Sequence, residues 1–131
     1  MSYDLIVFEA EGAPRELSAF VDWHIANAEA AEESETSLKM PASDRFAAFY
    51  DDMVVTYPDM NGPSGEGMDE GERLTGYEFQ PKYILMDFRW SVAEDAFFAV
   101  MTSAQAHGLG VYDLNDAVIY PGNEPHSAAV P

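Results

Sequence analysis

The chain has 131 residues, 47% of them hydrophobic and 13% aromatic, with no cysteine. That length supports one domain with a single core, the apolar content excludes a disordered chain, and the missing thiols exclude disulfides, thiolate zinc sites and thiol catalysis. Twenty-four acidic residues against six basic ones leave a formal charge of −18, so binding to nucleic acid or to an anionic membrane surface is opposed by long-range repulsion.

Two uses of such charge remain. One is solubility, including adaptation to a salty habitat; the other is attraction to a basic protein partner. The opening Met1-Ser2-Tyr3-Asp4 lacks the basic region of a secretory leader. No run approaches the roughly 18 apolar residues of a membrane span. The expectation is a soluble cytoplasmic protein with no membrane partner. The domain is expected over residues 1–120, with 121–131 as a loose tail.

"SYDLIVFEA" predicts a strand over 3–9, with Leu5 and Val7 on one side and Ile6 and Phe8 on the other. Pro14 suits the first position of a helix, which the spacing of Leu17, Phe20, Val21, Ile25 and Ala28 carries to about Glu32. "SETSLKMPAS" interrupts the pattern. Ser43 then caps a second helix that ends near Tyr57, before Pro58, with Phe46, Phe49, Tyr50, Met53, Val54 and Tyr57 as its apolar stripe.

The acidic, glycine-rich stretch "PDMNGPSGEGMDEGERLTG" follows, over 58–76. Beyond it, Tyr77–Phe79 and residues 83–89 read as strands joined at Gln80-Pro81. "SVAE" has the form of a capping box, Ser91 with Glu94. It opens a third helix that turns Ala93, Ala96, Phe97, Val100, Met101 and Ala104 inward. Gly108 ends that helix, with His107 in its last turn. "LGVYDL" and "AVIY" are two further strands joined at Asn115-Asp116.

The order β, α, α, β, β, α, β, β predicts an α+β domain on the ferredoxin-like, split βαβ plan. It has a mainly antiparallel sheet, an extra helix after the first and an extra C-terminal strand. The strands over 3–9 and 83–89 would be the central pair. Alternation places Ile84, Met86 and Phe88 with Ile6 and Phe8 on the helix side. Tyr83, Leu85, Asp87 and Arg89, with Tyr3, Leu5, Val7 and Glu9, are left for an uncovered face that would serve as a ligand floor or a homodimer surface.

The acidic stretch does not fit a calcium loop. Asp59, Asn61 and Glu70 suit the EF-hand pattern, but Pro63 and Ser64 stand where a ligand and glycine are required. Nor does it carry the spacing of a phosphate loop or a nucleophile elbow. His24, His107 and His126 have no metal-ligand spacing, so neither a metal nor another cofactor is implied. Glu9, His24, Asp87 and Arg89 are the candidates for a small polar site on the open face. The bland reading makes Glu9, Asp87 and Arg89 a salt-bridged trio and His24 a half-buried core histidine.

"YDLIVFE", "YPDMNGP", "FRWSVAE" and "HGLGVYD" together resemble a group of small acidic bacterial proteins that open with a YDL-x-V-[FW]-E strand. That group is in turn similar to the acidic immunity proteins of bacterial toxin systems. The resemblance spans Tyr3 to about Asp113 and brings no catalytic residues with it. Two functions follow as expectations. The first is a non-catalytic module that occludes a basic partner such as a nuclease, through Asp51, Asp52, Glu66, Asp69, Glu70 and Glu72. The second is a small dimeric enzyme or ligand-binding protein that uses Glu9, His24, Asp87 and Arg89.

Overall fold

The computed structural model describes residues 2–9, 13–14, 16–34, 40–60 and 73–120. Along them run β1 (Tyr3–Glu9), α1 (Leu17–Ser34), α2 (Asp44–Thr56), β2 (Gly76–Phe79), β3 (Tyr83–Phe88), α3 (Ala93–Ala106), β4 (Leu109–Asp113) and β5 (Val118–Tyr120). The strands form one sheet in the order β2-β3-β1-β4-β5, antiparallel at every junction. The domain is therefore α+β. The expected tail, 121–131, lies outside the described residues.

The apolar run of β1 suits its place at the sheet centre, where both of its faces are covered. Its register decides what covers them. Leu5 stands opposite Met86, Val7 opposite Ile84 and Tyr3 opposite Phe88, while Ile6 faces Leu85 and Phe8 faces Tyr83. Residues directly opposite one another share a face. Leu5 and Val7 therefore lie with Ile84 and Met86, the reverse of the pairing expected from alternation. Alternation settles the sides within a strand, but a one-residue difference in register exchanges the sides between strands.

The Leu5–Met86 face lies beneath α2 and α3 and holds the larger core, with Phe46, Phe49, Met53, Val92, Ala96, Val100 and Ala104 buried on it. The opposite face is not left open. Phe20 of α1 is fully buried against Ile6, Phe8, Tyr83 and Tyr112. Its ring centroid lies 4.8 Å from those of Phe8 and Tyr112. Trp23 extends the contact to Tyr83. The helix is thus rotated from the expected stripe: Trp23 and His24 turn toward the sheet, while Leu17 and Ile25 are exposed. The rings of Phe20 and Trp23 pack on Phe8, Tyr83 and Tyr112 on this side, a large apolar contact that sets which face of α1 turns inward.

Of the signals expected at the helix ends, Ser43 and Gly108 act as read, whereas Pro14 and the Ser91–Glu94 pair do not: α1 begins at Leu17, three residues after Pro14. Ser43 caps α2, its Oγ accepting from the Phe46 amide at 3.2 Å. Gly108 follows α3 at φ +70°, in the left-handed region that glycine enters without a Cβ penalty. The Ser91–Glu94 capping box is not formed. A single 3-10 turn, Trp90–Val92, precedes α3, whose N-cap is Val92 with no side-chain cap bond. The Val92 amide donates to the Arg89 carbonyl at 3.0 Å, which closes that turn around Ser91 and moves the N-cap of α3 one residue on, to Val92.

The Ser43 hydroxyl also donates to Glu9 Oε2 at 3.1 Å, tying the end of β1 to the start of α2. Ser43→Ala should cost about 1 kcal/mol, the usual cost of losing an N-cap. Ser43→Asp normally preserves a cap, but here it sets a second carboxylate against Glu9. Urea unfolding at neutral pH should therefore rank Ser43→Asp clearly below wild type, and raising the salt concentration should narrow that gap.

Candidate functional site

Asp51 and Asp52 are exposed on α2. Glu66, Asp69, Glu70 and Glu72 lie outside the described residues, but the residues bracketing that stretch are firmly held. The Thr75 amide donates to the Pro58 carbonyl at 2.9 Å and the Met60 amide to the Thr75 carbonyl at 3.0 Å. Asp59 is buried and accepts a 2.7 Å bond from the Tyr50 hydroxyl. The Tyr77 hydroxyl donates to the Tyr57 carbonyl, also at 2.7 Å. Burial pushes both phenols well above the ordinary tyrosine range, with Asp59 adding to the effect. They are therefore neutral donors at any physiological pH. Asp59 thus helps anchor the root of the acidic stretch.

The other four candidate residues are kept apart. Glu9 ends β1 opposite Leu109, whereas Asp87 stands opposite Asp4. Five strand residues separate those points, about 17 Å, and the odd separation puts the two carboxylates on opposite faces. Asp87 is engaged locally, its Oδ1 accepting from the Gly76 amide at 3.2 Å. A Cβ on Gly76 would meet that same oxygen at 2.5 Å, so the glycine makes room for the bond. Arg89 lies past the end of β3, at the start of the 3-10 turn. His24 packs edge-on against the Tyr83 ring at 5.2 Å. Its Nδ1 is buried without a hydrogen-bond partner, so the expected satisfied nitrogen is missing there. Burial holds the imidazole below the ordinary histidine range, partly opposed by Glu78.

The chemistry converges elsewhere. α2 and α3 run antiparallel: Asp52 reaches Ser103 and His107 near the end of α3, while Tyr57 lies under Arg73, which pairs with Asp95 at the start of α3. Between the helices is an open groove of about 400 Å³. Met53 and Tyr57 floor it, Ala99, Thr102 and Ala106 line the α3 side, and Phe98 stands at its edge. Phe98 is 74% exposed, and Val55 on α2 is 82% exposed. Asp52 is part of the groove lining, and beyond its Tyr57 end Arg73 lies over the Tyr57 ring and pairs with Asp95.

Asp52, His107 and Ser103 are the residue types of a hydrolytic triad, but the wiring differs. A triad needs the serine hydroxyl to give its proton to an imidazole nitrogen that the carboxylate orients from the far side. Here His107 Nε2 lies 2.6 Å from Asp52 Oδ2, and Ser103 Oγ donates to the same oxygen at 3.3 Å. Both groups converge on the carboxylate, which makes an inter-helix clasp and no activated nucleophile.

Sequence reasoning located Asp51, Asp52 and His107 but missed the groove. Its signal was present in "DAFFAV". Adjacent residues on a helix point about 100° apart, so once Phe97 is assigned inward, Phe98 is turned outward. No family model matches the chain, and no curated protein or solved structure shows significant similarity to it.

The position of His24 predicts a pH effect. Its folded-state pKa is lowered, so the unfolded chain binds the proton first as pH falls. The stability from its burial is complete above the ordinary histidine pKa and is lost on descent toward the folded one. His24→Phe keeps the ring contact and removes the proton. Urea unfolding at pH 7.5 and pH 5.5 should show wild type losing more stability than the variant over that interval. The comparison cancels the carboxylate titration common to both.

Proposed function

We propose that the protein is a non-catalytic binding module of the immunity or antitoxin type, which holds a basic protein partner on its α2–α3 face. The observation that carries this reading is Phe98, 74% exposed beside an apolar groove with Asp52 in its lining and Asp95 beyond its Tyr57 end. Exposed aromatics in such settings act as binding anchors. The surrounding acidic field would steer a basic partner and reject acidic ones. Asp51 and Asp52 lie on this face, and the root of the acidic stretch is set beside its Tyr57 end by the Pro58–Thr75 and Met60–Thr75 bonds. Glu66, Asp69, Glu70 and Glu72 extend the acidic surface in this proposal. The partner would be a protein with a positively charged active site, such as a nuclease, and inhibition would come from covering that site.

We further read the fold as a variant of the ferredoxin-like plan. The order β2-β3-β1-β4 supports this, as does the packing of α2 and α3 on one face. In this reading α1 on the far side is the added helix, and β5 the added strand.

Capture from a lysate of the source organism tests the function. Wild type should retain one basic protein in stoichiometric amount at low salt and shed it at high salt. Neutralising Asp51, Asp52, Glu66, Asp69, Glu70 and Glu72 to Asn or Gln should abolish retention. With the captured partner purified, the on-rate should fall tenfold or more, on the order expected for steered association, as salt is raised. Retention unaffected by salt and by neutralisation would refute the proposal.

A further inference from the structure

The groove also constrains which part of a basic partner it receives. Its volume of about 400 Å³ suits the side chains of a ridge, but it is a trough open to solvent along its length. It would leave a small molecule largely exposed, whereas small-ligand sites bury most of their ligand. Ala99, Thr102 and Ala106 recur at three- and four-residue spacing and form one shallow wall of α3. Phe98 is the tall edge.

Asp52 stands in the lining and Asp95 beyond the Tyr57 end. Asp95 and Ser103, the α3 contact of Asp52, are eight residues apart, about 12 Å along the helix. Arg73 lies at 3.9 Å from Asp95 with both side chains well exposed, an arrangement worth little in water. An incoming cation can therefore share that carboxylate at small cost. A second copy of this chain is a poor occupant, since it would bring −18 against −18.

Resting on the binding reading above, we propose that the groove receives an amphipathic basic helix of the partner. Its apolar residues, at three- and four-residue spacing, seat against Phe98 and the shallow wall of Ala99, Thr102 and Ala106. Lysine or arginine residues about two turns apart on its flanks meet Asp52 and Asp95. This is the helix-in-groove mode of recognition, with charge setting the orientation along the groove.

The test uses the full chain and two synthetic peptides of identical Leu/Lys composition. One is patterned as an amphipathic helix; the other is scrambled to break the stripe. Calorimetry at low salt should show the amphipathic peptide binding about tenfold or more tighter than the scrambled one, the scale of losing an anchoring contact. Phe98→Ser, at an exposed position that leaves the core intact, should remove that difference, and Glu29→Gln, exposed on α1 across the sheet from the groove, should retain it. Amide shifts in a nuclear magnetic resonance titration should concentrate on α2 and α3. Equal binding of the two peptides, or no effect of Phe98→Ser, overturns the inference and leaves a basic partner held by charge alone. Failure of both peptides to bind overturns it as well, and the salt-dependent capture then judges the binding reading independently. Dimerisation of wild type abolished by Phe98→Ser would assign the groove to a second copy and overturn the inference too.

Discussion

The register between β1 and its neighbours is the constraint on which the rest of the molecule depends. With Leu5 opposite Met86 and Val7 opposite both Ile84 and Val111, one face becomes a continuous aliphatic floor. α2 and α3 pack side by side on that face, and the groove is the seam between them. The other face presents Ile6, Phe8, Tyr83 and Tyr112, and a single helix bearing Phe20 and Trp23 closes it. A slip of one residue would exchange the two surfaces and bury the wrong side chains everywhere at once.

A chain with so few cations needs another way to keep inward carboxylates satisfied, and tyrosine and backbone donors supply it. Asp59 is held by the Tyr50 hydroxyl. Asp113, also buried, accepts from the Tyr3 hydroxyl through one oxygen, and through the other from the Asn115 and Asp116 amides and the Asn115 side chain. Burial, with Asp113 adding, pushes the Tyr3 phenol up so that it stays a donor. Hydrogen bonds of this kind satisfy a buried carboxylate without cancelling its charge. The negative field therefore survives at the surface. Its cost is self-repulsion of the folded state, and a basic partner would relieve it.

Much of the local architecture was legible in the sequence. The stripe of α2 was read correctly because Phe46, Phe49, Met53 and Tyr57 repeat at helical spacing on a face with no competing apolar residues. The inward face of α3 and its glycine stop were legible for the same reason. The first helix was harder. Its aliphatic and aromatic residues lie on overlapping stripes, and it is the ring contacts with Phe8, Tyr83 and Tyr112, made only in the folded sheet, that select the aromatic one. The Ser91–Glu94 pattern misled because a capping box needs its serine at the helix boundary, and a 3-10 turn following β3 encloses Ser91 and puts Val92 at that boundary.

The candidate site divides along the same line. Composition alone determined the acidic field, and period alone determined which residues of α2 and α3 turn inward. By subtraction, Asp51, Asp52 and Phe98 are turned out. These properties belong to single elements and follow from a 3.6-residue or two-residue repeat. The clasp of Asp52 with Ser103 and His107 joins residues 51 and 55 apart in the chain, and the separation of Glu9 from Asp87 and the groove itself likewise depend on elements distant in sequence. Strand register and helix sidedness decide such meetings. Those are set by the packing of the whole chain, since no single segment contains the energy that selects them.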